Sequence, residues 1–277
     1  MLTTIEQQQF IEDGFVKVSS FIPPQLLQKL QTLFDQLMNF TDLEGKVIHE
    51  NNGLTFITNI EEICKRGNLA ALELLGYPPL LSIAKQLCGD DFFMIQEFAV
   101  IKNAGDGMPV LWHLDMQHER KGKCFTVGFY LDGVEKGDGA LKVVPGSHVS
   151  NKSICELSKE PCIEIPAHAG DILIHDMMLA HCSDPMNKNK LRRVIYFEFL
   201  SAAHVREENI YHEALIERRT KLLPLAADFY RLQNRNIISQ IDQGDMLSHS
   251  EILEELSIIY NEKIRARPST YCFDLNT

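Results

Sequence analysis

Leu111-Trp112-His113-Leu114-Asp115 is a His-x-Asp inside a run whose side chains alternate as they do along a β-strand. Residues i and i+2 of a strand point to one face, roughly 6–7 Å apart. The imidazole of His113 and the carboxylate of Asp115 can therefore converge on one ion. Two ligands do not hold a metal, so the rest of the chain has to supply a third.

Working outward, the chain changes its period around this stretch. From Asp91 to Leu200 the pattern is close to two. Strand-like runs cover 94–102, 110–115, 124–131, 140–144, 163–166, 171–175 and 192–200, with Gly, Pro, Asn or Asp clusters between them. Seven short strands at close intervals predict a sandwich or barrel of the jelly-roll, cupin-like kind, an architecture that holds ligands in its mouth.

Upstream, residues 1–90 read as mostly helical. Gly14-Phe15-Val16-Lys17-Val18 is a short strand, and Pro23-Pro24 opens an amphipathic helix carrying Leu26, Leu27, Leu30, Leu33, Phe34 and Leu37. A second helical pattern lies between Glu61 and Leu75, and a third runs from Pro78-Pro79 to Gly89. Downstream, residues 201–277 return to helix at 213–219 and 252–259. Helices flanking a β core at 91–200, with no linker or repeat, predict one domain over 1–277.

Composition narrows the function classes. A formal charge of −11 argues against a general nucleic-acid binder, because such binding depends on neutralising phosphates. No apolar run is long enough to span a membrane, and the first residues lack the pattern of a secretion signal, so a cytoplasmic location is expected. The seven cysteines are odd in number, form no Cys-x-x-Cys and sit mostly in apolar stretches; they read as reduced thiols.

The third ligand candidate is His181, within Leu179-Ala180-His181-Cys182-Ser183. Two histidines and one carboxylate on one face of an ion, with other positions open, form the arrangement of non-haem iron(II) oxygenases. Further on, Leu191-Arg192-Arg193-Val194-Ile195-Tyr196-Phe197-Glu198-Phe199 places a guanidinium eleven residues past His181. Arg193, Ile195, Phe197 and Phe199 make a face suited to packing under helices, which turns Arg192, Val194 and Tyr196 inward. A guanidinium there matches the distal carboxylate of a 2-oxo acid. By the same alternation Gln96 shares a face with Lys102, and Thr126 shares one with Gly128 and Tyr130; these faces are expected to line a cavity.

The chain resembles the phytanoyl-CoA dioxygenase (PhyH) family of Fe(II)- and 2-oxoglutarate-dependent oxygenases. The residues that carry the resemblance are Gln9–Phe15, His113-Leu114-Asp115, Gly139–His148, Gly170-Asp171, His181-Cys182-Ser183 and Arg192. It implies a double-stranded β-helix core, iron held by His113, Asp115 and His181, and Arg192 on the distal carboxylate of 2-oxoglutarate. Lys102 and Ser183 are implied as further cosubstrate contacts, with Thr126 beside them. Gln96, Gln117 and Tyr130 are candidate substrate contacts on the cavity wall.

The expected activity is oxidation of an unactivated C–H bond of a small molecule by dioxygen (O2), with succinate and carbon dioxide as co-products. Within this class an acyl-CoA 2-hydroxylase is one alternative; outside it, a non-catalytic jelly-roll metal-binding protein is another. In related halogenases the Asp115 position is small, so an intact carboxylate favours oxygen transfer. His148 reads as structural, closing the Pro145-Gly146 turn, and His118 as facing substrate or solvent. His175 can point inward by strand phase, and Cys182 reads as a packing thiol. Basic runs at 120–123 and 188–190 flank the site, where they can admit an anion.

Overall fold

The computed structural model describes residues 1–116, 123–187, 190–209, 211–235, 247–261 and 270–273. The chain begins with α1 (Thr4–Asp13), which opens on a reciprocal Thr3/Glu6 capping box and closes on Gly14 in the left-handed region, φ 80°. That turn feeds β1 (Phe15–Val18). Pro24 stands in the first turn of α2 (Pro24–Leu37), whose Leu26, Leu30, Leu33 and Phe34 are buried. Next come β2 (Lys46–Asn51) and β3 (Leu54–Glu61), then α3 (Ala70–Leu75) and α4 (Pro78–Cys88).

The β-rich part follows: β4 (Phe92–Asn103), β5 (Val110–Leu114), β6 (Cys124–Tyr130), β7 (Leu141–Val143), then the short helix α5 (Ile154–Leu157) and β8 (Ile163–Ile165). After it come β9 (Ile172–Asp176), β10 (His181–Ser183) and β11 (Leu191–Ser201). Helices α6 (Ala202–Glu208), α7 (Glu213–Thr220), α8 (Leu222–Gln233) and α9 (His249–Ile259) precede the two-residue strand β12 (Thr270–Tyr271). Among the described residues no helix is long and apolar enough to cross a membrane.

All pairings between the named strands are antiparallel. They form a seven-stranded sheet, β1-β9-β6-β11-β4-β3-β2, and a five-stranded sheet, β12-β5-β10-β7-β8. The fold is a mainly β jelly roll with flanking helices. The alternation along β11 divides two cores: Ile195, Phe197 and Phe199 join the cluster under the helices, while Val194 and Tyr196 join Leu141, Val143 and Leu173 in another cluster. Arg193 lies on the helix side, clamped by Asp132 through Nε–Oδ2 at 2.9 Å and Nη2–Oδ1 at 2.8 Å.

Three expectations need correction. Residues 1–90 are not mostly helical throughout: 46–61 form a hairpin extending the large sheet, turning at Asn52 and Gly53, both with positive φ. The segment 61–75 is a single 3₁₀ turn and the short α3, because Gly67 and Leu69 adopt positive φ and interrupt it. The cysteines are not all thiols either. Cys155, on α5, is bonded to Cys272, immediately after β12, while Cys64, Cys88, Cys124, Cys162 and Cys182 take part in no disulfide. The long-range register that joins β12 to β5 brings those two sulfurs together.

Candidate active site

His113 and His181 sit on neighbouring strands in direct register, His181 opposite His113 across the β10–β5 pairing. Asp115 follows the end of β5, where its amide donates to the carbonyl of Met177 at 3.0 Å. One ligand atom from each of the three lies within 4.8 Å of the other two. The Asp115 Oδ1 is 3.5 Å from His113 Nε2 and 3.7 Å from His181 Nε2. Two nitrogens and one oxygen thus converge from one side.

Backbone geometry fixes how the rings present themselves. The Nδ1 of His113 meets the carbonyl of Leu111 at 2.8 Å, and the Nδ1 of His181 meets that of Leu179 at 2.8 Å. A carbonyl only accepts, so each Nδ1 carries the hydrogen and each Nε2 keeps its lone pair toward the centre. Such support also holds the ring plane.

The carboxylate is oriented in the same way. Thr126 Oγ1 donates to Asp115 Oδ2 at 3.0 Å, and His175 Nε2 reaches the same oxygen at 3.2 Å. Both hold Oδ2, which leaves Oδ1 to face the histidines. Thr126 therefore contacts the carboxylate ligand directly. His175, on the inward face of β9, is the second residue behind it, opposite Thr126 in the β6–β9 register.

Burial raises the carboxyl pKa of Asp115, but His181, His113 and His175 outweigh it and hold it well below the usual range. Burial, with His113 nearby, lowers His181 to about 3 despite the pull of Asp115. The centre is an anion beside a neutral imidazole, the protonation states that a metal ligand set needs.

A small cavity of about 60 Å³ opens from these residues and is also lined by Phe98, Leu141, Ser183, Arg192 and Tyr196. Arg192 is 1% exposed, with its Nη1 donating to the carbonyl of Gly139 and its Nε without a partner. Among the described residues no carboxylate forms an ion pair with it. Gly139 has φ 77°, and a Cβ there would meet Met186 Cγ at 2.9 Å, so glycine is required where the chain turns its carbonyl to the guanidinium. Ser183 is also buried, and its hydroxyl lacks a partner. A buried cation without a counter-ion and an orphaned hydroxyl in one cavity form a receptor for an anion.

Lys102 pairs with Arg192 in the β4–β11 register, yet it does not line this cavity. Its ammonium group donates to the carbonyls of Ser183 at 3.0 Å and Asp184 at 2.5 Å. Burial and the neighbouring charge of Arg192 lower it to about 7.

A larger cavity of about 490 Å³ shares His113, Asp115, Phe98, Val100 and Val110 with the small one. Its wall includes Gln96, whose Oε1 is buried without a partner, and Glu61, Asn59, Glu198 and Tyr271. Tyr130 lines neither cavity; it is buried beside Val194 and Tyr196, where burial pushes its phenol upward. Gln117, His118, Arg120, Lys121 and Lys188 lie outside the described residues.

His148 is placed by its fold contacts: Nε2 meets the carbonyl of Ile11 at 3.1 Å, tying the 145–149 turn to α1. Burial pushes the Cys182 thiol up to about 12, the behaviour of a packing residue. Glu61, Asn59 and Tyr271 were not legible as site residues. The strand alternation of β3 is a signal for the first two, and nothing local signals Tyr271.

The family model described as phytanoyl-CoA dioxygenase (PhyH) matches residues 10–194. The chain belongs to the phytanoyl-CoA dioxygenase family. The match contains His113, Asp115, His181 and Arg192 and ends before the C-terminal helices and β12.

Among curated relatives of this family member, the L-proline trans-4-hydroxylase of Streptomyces griseoviridis is 30% identical over 95 residues, which is 32% of this chain and 33% of that protein. Among solved structures, EvdMO1 superposes with a TM-score of 0.65 at 25% identity, over 71% of this chain and 49% of that one. EctD from S. alaskensis, solved with 2-oxoglutarate and 5-hydroxyectoine, gives 0.62 at 19% identity, over 73% and 77%. The matched region thus spans a third of the curated relative and half of EvdMO1, and the likeness to EctD is one of fold.

Proposed function

We propose that this protein is an Fe(II)- and 2-oxoglutarate-dependent dioxygenase that oxidises a C–H bond of a small molecule. One observation carries the reading. The nitrogen–nitrogen–oxygen cluster of His113, His181 and Asp115 faces the same cavity as the buried Arg192 guanidinium, which has no counter-ion among the described residues. Family membership and the 2-oxoglutarate seen in EctD support it.

His113, Asp115 and His181 would hold iron(II), which with 2-oxoglutarate and dioxygen supplies the oxidising chemistry and yields succinate and carbon dioxide. Arg192 binds the distal carboxylate, and Ser183 offers its free hydroxyl beside it. Lys102, opposite Arg192 in the β4–β11 register, holds the carbonyls of Ser183 and Asp184 and so fixes the end of β10. Thr126 and His175 hold the second oxygen of Asp115, which leaves the first to face the two histidines. Phe98, Val100, Val110 and Tyr196 give the cavity apolar walls that exclude water.

The substrate occupies the larger cavity, with Gln96 as a polar contact. Among the described residues its wall carries Glu61 and Glu198 and no lysine or arginine. That lining suits an uncharged or basic small molecule and offers nothing to the phosphates of an acyl-CoA thioester.

The test is spectroscopic. Anaerobic addition of iron(II) and 2-oxoglutarate is expected to give a weak visible charge-transfer band, and admission of air is expected to release succinate. Absence of the band at saturating iron would overturn the reading.

A further inference from the structure

The family match ends at residue 194, yet the metal centre has a neighbour far beyond it. Strand β12 adds to the edge of β5, with Tyr271 opposite His113 and Thr270 opposite Leu114. The amide of Cys272 donates to the carbonyl of Trp112 at 2.9 Å. The Tyr271 ring stacks on the His113 ring, with centroids 5.1 Å apart and planes 20° from parallel, and it lines the larger cavity. Residues 270–273 therefore run across the open edge of the strand that leads to two of the proposed ligands.

Two residues of strand pairing do not hold a short segment in place, because so few backbone bonds are worth little against the entropy of ordering them. What fixes the segment is covalent. Cys272 is bonded to Cys155 on α5, and both pack beside Trp112 and Leu114 against Val144, Ile154, Leu157 and Ala180. The two cysteines are only partly buried, so a reductant can reach them.

We propose that residues 270–273 are a redox-latched strap over the metal centre. Tyr271 acts as a positioning residue that covers His113 and walls the cavity, and the Cys155–Cys272 disulfide holds it there. A dithiol reductant opens the latch in two exchanges. Its first thiolate attacks one sulfur and breaks the protein S–S bond, and its second thiol then displaces the mixed disulfide. Two electrons and two protons pass to Cys155 and Cys272, and the reductant leaves as a cyclic disulfide. The strap is then held only by β12 pairing, and the face of His113 opens.

This inference rests on the reading of His113, Asp115 and His181 as metal ligands, so the test separates the two. The full chain is loaded with cobalt(II), followed through quenching of Trp112, the only tryptophan. Failure of the oxidised protein to bind cobalt(II) would overturn the metal reading, and the strap with it. With cobalt(II) bound, three quantities are compared between oxidised protein, protein reduced with dithiothreitol, and Cys155→Ser/Cys272→Ser. They are hydrogen exchange at the Cys272 amide (Ser in the double variant), acrylamide quenching of Trp112, and the rate at which EDTA strips the metal.

Opening the latch is expected to speed exchange at position 272 by about tenfold or more, a local opening made easier by on the order of 1.4 kcal/mol. It is also expected to raise both quenching and metal stripping. Tyr271→Ala with the disulfide intact is expected to speed stripping, and Tyr271→Phe to match the parent. Equal exchange and equal stripping in oxidised and reduced protein would overturn the proposal, as would a Tyr271→Ala variant that releases cobalt(II) no faster.

Discussion

Replacing Arg192 by methionine is expected to move stability and cosubstrate binding in opposite directions. The guanidinium is 1% exposed, has its Nη1 on the Gly139 carbonyl and its Nε without a partner, and forms no ion pair among the described residues. Burying an unpaired ion costs several kcal/mol, of which one hydrogen bond from a charged donor returns about 1.5–3 kcal/mol. A methionine side chain would fill similar space without the charge. The ligand-free protein should therefore gain about 1–3 kcal/mol. Binding behaves otherwise: losing two charge-assisted bonds to the distal carboxylate should cost about 3–4 kcal/mol, a weakening of roughly 10²- to 10³-fold.

The assay is urea denaturation of parent and Arg192→Met with and without 2-oxoglutarate in the presence of a divalent metal. The parent should be stabilised by the ligand through mass action, and the variant should not respond at the same concentration. Lys102 supplies a pH signature. Its folded pKa is about 7, lowered first by burial and then by Arg192, against 10.5 for the free side chain. Between those values the unfolded chain holds a proton that the folded one has released, so this contribution to stability rises as pH climbs from about 7 toward 10.5. Without Arg192 the Lys102 pKa moves up and that slope flattens. A variant that is less stable than the parent without ligand, yet still stabilised by 2-oxoglutarate, would refute the reasoning.

Other perturbations test neighbouring parts of the same arrangement. Thr126→Val and His175→Phe each remove one donor from Asp115 Oδ2, and each should weaken divalent-metal binding by about 10- to 100-fold in a cobalt(II) titration. Arg193→Ala should lower stability in urea denaturation, since Arg193 is clamped by Asp132 on the helix side, while 2-oxoglutarate affinity stays within about twofold of the parent. Away from the site, Arg219 and Glu97 form a buried pair at 3.1 Å, with Tyr260 donating to the other Glu97 oxygen. Arg219→Met should cost about 3–5 kcal/mol by stranding Glu97, and Glu97→Gln in the same chain should recover part of it, measured as a double-mutant cycle.

What could be read beforehand depended on local information. The two-residue period of β11 is a property of neighbouring residues, and it sufficed to separate Arg192, which lines the cavity, from Arg193, which does not. The β2–β3 hairpin was also local. Asn51-Asn52-Gly53 between alternating runs is a turn signal, and positive φ at Asn52 and Gly53 fulfils it. The helical pattern seen at 61–75 ran over that boundary because apolar spacing alone does not register the backbone reversals at Gly67 and Leu69. A three-residue strand such as β10 is too short for any period, so His181 could be placed by type and order but not by conformation.

The remainder of the site is set by register across distance. His175 reaches Asp115 because β9 pairs with β6 opposite Thr126, placing it against a carboxylate 60 residues earlier in the chain. Tyr271 reaches His113 because β12 pairs with β5, beside a disulfide that spans 117 residues. Strand phase turns His175 inward but does not name its partner, whereas Tyr271 leaves no local trace and lies outside the family match altogether. The division follows from how the site is built. The residues proposed to meet iron and 2-oxoglutarate lie on or beside strands of the jelly roll, where alternation sets their direction, whereas Tyr271 sits on an added edge strand. A wall attached in this way can vary while the three ligands keep their strand positions, so the features particular to this chain's substrate are expected at Tyr271 and along β3, and not at His113, Asp115 or His181.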